Sequence, residues 1–324
     1  MSVNNIKCNI ATIDKDNSID FVVCDKLGLW LSENSKRDIN KRRWINVYDV
    51  KSLANLHQII GYAKYTYRNH IILYRGENKL YNNVMPSAYR KIWGEKKQNE
   101  MWKKILEDIK FLIKKDERRN KIQFKELNDE WKKQMVAEGI IQHYIGKTTC
   151  LDLVDNVWTA LWFGYHEYKE SKRYESGRYA TYVPRYKGDE SNKYQYIILF
   201  AVENKVDIKL DIRKEPATNY VIDLREVLPS IFIRPHAQHA WLLRANKRII
   251  TEENNYANNV VGVLRIETRV VREWLGNGNL MSMDNLFPAP VLDYGYDILL
   301  KWDMELNKND GKKWDGNMIR YYNI

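Results

Sequence analysis

The sequence predicts an α+β fold. Apolar residues recur at helical spacing through the first half, short β-rich runs crowd the second, and no regular strand–helix alternation links them. With 44% hydrophobic residues among 324, the chain has material for a sizeable core; 15 Gly and 7 Pro exclude collagen-like and low-complexity architectures.

Taken in order, Ile6–Ala11 and Asp20–Cys24 read as short strands separated by a turn at 14–18. Residues 35–43 read as a basic loop or helix edge. A helix from Val50 to Tyr65 places Leu53, Leu56, Ile60 and Ala63 on one face and leads into a strand, Ile71–Tyr74. Helices are expected over Glu100–Lys115 and Phe124–Ile141. A third, Val157–Tyr168, would bury Leu161, Trp158 and Trp162. Strands follow at Tyr196–Glu203, Tyr220–Leu224, Ala240–Leu243 and Val260–Ile266. A short helix, Thr268–Leu275, is ended by Gly276 as a left-handed cap.

No run approaches the roughly 18 apolar residues of a membrane helix. The N-terminus lacks a basic and then apolar leader pattern. Without an apolar run of that length no membrane is expected, and Cys8, Cys24 and Cys150, which form no CxxC and leave one unpaired, suit a reducing cytoplasm. The 53 Lys and Arg against 42 Asp and Glu give a net charge of +11, which favours polyanionic partners. Of the aromatic residues, 22 are Tyr and 11 Trp, rings that stack on bases while staying wet.

Four ordered segments resemble the FRG-domain family, named for its Phe/Tyr-Arg-Gly motif. They are Ile71-Ile-Leu-Tyr-Arg-Gly76 with Val84-Met-Pro-Ser-Ala-Tyr-Arg90; Glu130-Trp131, Ile141-Gln-His-Tyr144, Thr148 and Leu151-Asp152 with Ala160-Leu-Trp-Phe163; Ile233-Arg-Pro-His-Ala-Gln238; and Leu286-Phe-Pro288. Thr149 stands where the family has Arg, and Lys147 where it has Pro. The resemblance organises the chain into an N-terminal β-rich extension (1–47), an FRG-like domain (48–300) and a tail (301–324).

By analogy, the motif order is similar to that of ADP-ribosyltransferases of the Arg-Ser-Glu type. It implies helices on a split, mostly antiparallel β-sheet with NAD bound as substrate. Such chemistry breaks a glycosidic bond through an oxocarbenium-like transition state. It needs an anion clamp, an aromatic shelf and groups for the ribose hydroxyls. Arg75 suits the clamp, Gly76 permits close backbone approach, and Arg90 would be a second clamp. The alternative for Arg75 is a salt bridge at a strand end, with Asp152 as partner. His143 and Tyr144 would supply a ring and a hydrogen bond. Thr148 would bind ribose or carboxamide, or else serve a turn or cap. Asp152 is an orienting carboxylate or the cap of the next helix. For catalysis the candidates are Gln238, which cannot act as a base, His239, and Glu77; spacing does not choose among them. The pair His236 and His239 lacks companion ligands, so no metal is expected.

Residues 165–194 form an insertion that interleaves rings and cations. Lys172, Arg173, Tyr174, Arg178, Tyr179, Tyr182, Arg185 and Lys187 suit a single-stranded nucleic acid; a solvated loop or a hairpin covering the sheet is the alternative. The leading expectation is therefore an NAD-dependent ADP-ribosyltransferase-like toxin or phage-defence effector. It would modify nucleic acid, RNA above DNA, and be held in check by a neutralising antitoxin protein. The rivals are a non-catalytic nucleic-acid-binding module and a protein-binding regulatory component.

Overall fold

The computed structural model describes residues 23–31, 42–86, 107, 137–146, 148, 150–170, 178–185, 193–203, 220–244, 256–309 and 320–322. They form an α+β structure around an eight-stranded, mostly antiparallel sheet. Its strands are β1 (Val23–Trp30), β2 (Arg42–Val50), β3 (His70–Glu77), β4 (Leu151–Val154), β7 (Tyr194–Glu203), β8 (Tyr220–Asp223), β9 (Ala240–Arg244) and β10 (Val260–Glu267). The order across the sheet is β1-β2-β10-β7-β3-β4-β9-β8. Only β10 with β2 is parallel among these pairs. A second sheet is the hairpin β5 (His166–Glu170) and β6 (Arg178–Pro184), joined on its β6 side by β11 (Arg320–Tyr322).

The central strands are apolar on both faces because both are covered. Helices α1 (Leu53–Thr66) and α2 (Val157–Tyr165) bury Leu56, Ile60, Ala63, Leu161 and Trp162 against Tyr74, Ile197 and Leu264. On the other face Leu29, Ile45, Leu73, Phe200 and Val263 pack together. Removing each such Leu or Ile from water stabilises the fold by about 1.5–3 kcal/mol. A third cluster gathers Tyr144, Phe232, Leu242 and Tyr296. It involves a π-helical turn (Ile141–Ile145) and the helices α3 (Leu224–Val227), α4 (Ile233–Ala237) and α7 (Tyr294–Asn309). Helices α5 (Thr268–Trp274) and α6 (Met283–Leu286) complete the fold.

Most expected elements are present with small changes at their ends. Helix α1 starts later than Val50 because Ser52 caps it, accepting from the Asn55 N–H at 3.2 Å. Gly276 adopts φ +60° after α5, the left-handed geometry expected of it. The helix predicted to run to Tyr168 stops at Tyr165. Both the backbone N–H and Nδ1 of His166 donate to the Trp162 carbonyl, and the chain continues extended as β5. Trp158 is half-buried rather than buried. Arg42 and Arg43, expected in a basic loop or helix edge, begin β2, which crosses the expected boundary at residue 47. The helix expected over Phe124–Ile141 is described only from residue 137, and Glu100–Lys115 lies outside the described residues apart from Glu107. The Ile6–Ala11 strand lies outside them as well.

Candidate functional site

Strand β3 pairs with β7 along its whole length, from His70 to Glu77, but meets β4 only at Tyr74 opposite Val154. Beyond that point β3 and β4 diverge, and Arg75 fills the opening. Its Nη1 donates to the Asp152 carbonyl at 2.8 Å and its Nε to Glu77 Oε1 at 2.5 Å. Gly76 is needed here because α2 lies directly on the strand: a Cβ would sit 1.9 Å from the Ala160 carbonyl oxygen and 2.7 Å from the Gly164 nitrogen. The close approach expected of Gly76 is thus made by a helix backbone.

These residues line a cleft of about 200 Å³, together with Asn78, Asp152, Phe163, His166, Tyr168 and Tyr182. Burial pushes the Asp152 carboxyl up to about 6, although Arg75 beside it pulls the other way. Asp152 Oδ1 is buried with no hydrogen-bond partner. Burial lowers the Arg75 guanidinium, but the Glu77 carboxylate outweighs it and the net direction is upward. Burial also pushes the His166 imidazole down. The aromatic wall is held by ring contacts: Tyr182 stacks on Phe287 at 5.0 Å, Phe163 meets Tyr182 edge-on at 5.6 Å, and His166 stacks on Trp162 at 3.9 Å. His166 escaped sequence reasoning because it sat inside an expected helix. The alternation Glu167, Tyr168, Lys169 was the available signal for a strand.

The later motif segments meet elsewhere, in the interior. Tyr144 donates to Asp293 Oδ2 at 2.6 Å, and Arg234, fully buried, donates from Nη1 to the His143 carbonyl at 2.7 Å. The Arg234 guanidinium lies 4.4 Å from the Tyr144 ring centroid and 4.6 Å from that of Tyr296. Gln238 donates from Nε2 to the Leu286 carbonyl at 2.8 Å. Burial, with Arg234 adding to it, holds the His143 imidazole at about 3 and therefore neutral. Burial, with Asp293 beside it, raises the Tyr144 phenol well above its ordinary value. Three motif segments that are distant in sequence thus clasp one another.

This arrangement corrects several expectations. Tyr144 and Gln238 are interior ties, since their polar atoms are buried and engaged. Thr148 is buried, its hydroxyl bonded to Gln142 and to the Cys150 backbone. Asp152 is not the cap of α2; Asn156 is, accepting from the Trp158 N–H at 2.8 Å. His143 lies in the clasp and not in the Arg75 cleft. Arg185 is 6% exposed and donates to the Tyr194 carbonyl at 3.1 Å, so it holds the hairpin to β7. Tyr179 lies on β6 opposite Tyr321. Arg178 also lies on β6, while Arg90, Lys172, Arg173, Tyr174 and Lys187 lie outside the described residues.

His239 occupies a different cleft, of about 520 Å³, with His57, Ile60, Lys64, Tyr74, Asp155, Asn156, Val157 and Arg225. Its Nδ1 lies 3.0 Å from Arg225 Nη1 and 3.2 Å from Asp155 Oδ1. Among the described lining residues, the two clefts share only Tyr74. Of the three catalytic candidates, only Glu77 lies with Arg75.

The FRG-domain family model matches residues 70–173. Over these residues the chain is similar to the FRG domain. The match opens at β3 and runs past β5, so it contains the whole described lining of the Arg75 cleft except Tyr182. The Arg234 and Gln238 segments fall outside it. No curated protein and no solved structure matches the chain. Among the described residues, no helix is long and apolar enough to cross a membrane.

Proposed function

We propose that the Arg75 cleft of the FRG-like domain binds NAD as substrate and transfers its ADP-ribose, with RNA as acceptor. The observation that carries this reading is the convergence of Arg75, Glu77 and Asp152 beneath an aromatic wall where β3 and β4 part. A volume of about 200 Å³ suits the nicotinamide–ribose end, leaving the remainder of the dinucleotide outside. Asp152 Oδ1 supports the fit, because a ribose hydroxyl donating to it would satisfy a buried acceptor. Phe163 and Tyr182 supply ring faces for the leaving base.

In this reading NAD supplies an ADP-ribosyl group whose glycosidic bond breaks with the electron pair leaving on nicotinamide. Glu77 stabilises the positive charge that develops at the ribose and is itself held by Arg75. The acceptor hydroxyl or amine attacks the same carbon and gives up its proton to a carboxylate of the cleft. The net charge of +11 and the hairpin tyrosines Tyr168 and Tyr182 favour an RNA acceptor, whereas Arg185 contributes nothing to it. An enzyme of this kind acts as a toxin or defence effector and calls for a neutralising protein partner.

The test is incubation of the purified chain with NAD labelled in the adenylate and with RNA, DNA or protein extract. Label transfer to RNA with nicotinamide release, lost in Glu77→Gln, is expected. Nucleic-acid binding without nicotinamide release from the wild type would leave the non-catalytic module.

A further inference from the structure

We propose that the His239 cleft is a second ligand site, separate from the Arg75 cleft, and that it takes the phosphoryl group of a small phosphate-bearing molecule. Its volume of about 520 Å³ is that of a small-molecule pocket. Donors come from α1, where His57 and Lys64 lie two turns apart on one face, and from His239 in the turn before β9; Arg225 of α3 is spent on Asp155, Asp223 and His239 and holds these groups in place. Asp155 is the only carboxylate in the described lining, and it is already engaged with Arg225 at 2.5 Å. Asp155 and Asp223 together neutralise Arg225, so Lys64 supplies the charge that would select an anion, with His57 and His239 beside it as hydrogen-bonding groups.

The histidine is placed with care. His239 has φ +53°, a left-handed conformation unusual for a side-chain-bearing residue. It is held there by its N–H donating to the His236 carbonyl at 3.2 Å and by its own carbonyl accepting from the Asp155 N–H at 3.3 Å. Nδ1 is engaged by Arg225 and Asp155, so Nε2 is the nitrogen left for a ligand. Arg225 also donates to Asp223 at 2.7 Å, which fixes its fork. Backbone strain held by several bonds, beside an open cleft with converging donors, is the pattern of a binding site. This inference stands independently of ADP-ribosyl transfer.

The test is titration of the full chain with inorganic phosphate, a nucleoside monophosphate and a sugar phosphate, following the His239 imidazole Cε1 proton by NMR. A saturable shift with at least one probe is expected. Lys64→Gln, on the exposed face of α1, should weaken that binding by roughly tenfold or more. Glu77→Gln should leave it unchanged. The proposal is overturned if no probe gives a saturable shift, if Lys64→Gln binds as the wild type does, or if Glu77→Gln abolishes binding.

Discussion

Arg75 and Asp152 are joined across the opening between β3 and β4 by a guanidinium bond to the Asp152 main-chain carbonyl at 2.8 Å. That bond stands in for the ladder hydrogen bonds lost where β3 meets β4 at one position alone. The Asp152 carboxylate is left with a buried, unpartnered oxygen in the cleft. One arginine therefore closes the sheet and shapes the site.

Arg75→Ala is expected to remove both NAD turnover and stability, because it strands Glu77 and the Asp152 carbonyl. The side chains are 23% and 15% exposed, so the loss is about 1–3 kcal/mol, below that of a fully buried pair. Arg75→Ala combined with Glu77→Gln should cost less than the sum of the single changes. Urea unfolding of the four proteins checks this; strict additivity would rule out the coupling.

Gly76→Ala should be among the most damaging single changes in β3. The new methyl meets the Ala160 carbonyl at 1.9 Å, and helix backbone cannot swing aside as a side chain would. A loss of about 3 kcal/mol or more is expected, read as a fall in soluble yield and in the thermal midpoint.

Two buried groups give opposite pH dependences. The Asp152 carboxyl rises from 3.8 to about 6 on folding, so ionising it opposes the fold, and stability is lost as pH climbs through that window. The His143 imidazole falls from 6.5 to about 3, so stability is full above 6.5 and is lost as pH drops toward 3. Asp152→Asn should therefore gain stability over the wild type above about pH 6 but not below about pH 4. His143→Gln should flatten the loss on the acid side. Denaturant titrations across this range measure both slopes.

Arg185→Gln should lower stability by about 1–3 kcal/mol, since it leaves the carbonyls of Gly164 and Tyr194 without their donor. It should leave the salt dependence of RNA binding as it was. A flatter slope in filter-binding assays would return Arg185 to the surface role its sequence neighbourhood suggested.

Helical spacing located α1, which buries one face, while β3, β7 and β10 were read from continuous apolar runs, since both faces of the central sheet are covered. The Tyr-Arg-Gly segment likewise marked Arg75 and Glu77 as candidates, but the expected strand ended at Tyr74; β3 runs on to Glu77 and so sets the two residues on one face. What the chain order did not carry was which distant segments meet. Gln238 and His239 are adjacent, yet the turn at His239 sends one amide into the interior against Leu286 and the other ring into a cleft with Asp155 and Arg225. Arg185 sits among tyrosines and cations in the sequence but points into carbonyls of β7 and α2. The end of α2 depended on His166 capturing the Trp162 carbonyl, a bond that apolar spacing does not register. Local pattern determines what a segment becomes, because propensity and burial act over a few residues. Tertiary packing decides what a polar side chain does, because its partner lies wherever the fold brings an unsatisfied group within about 3 Å.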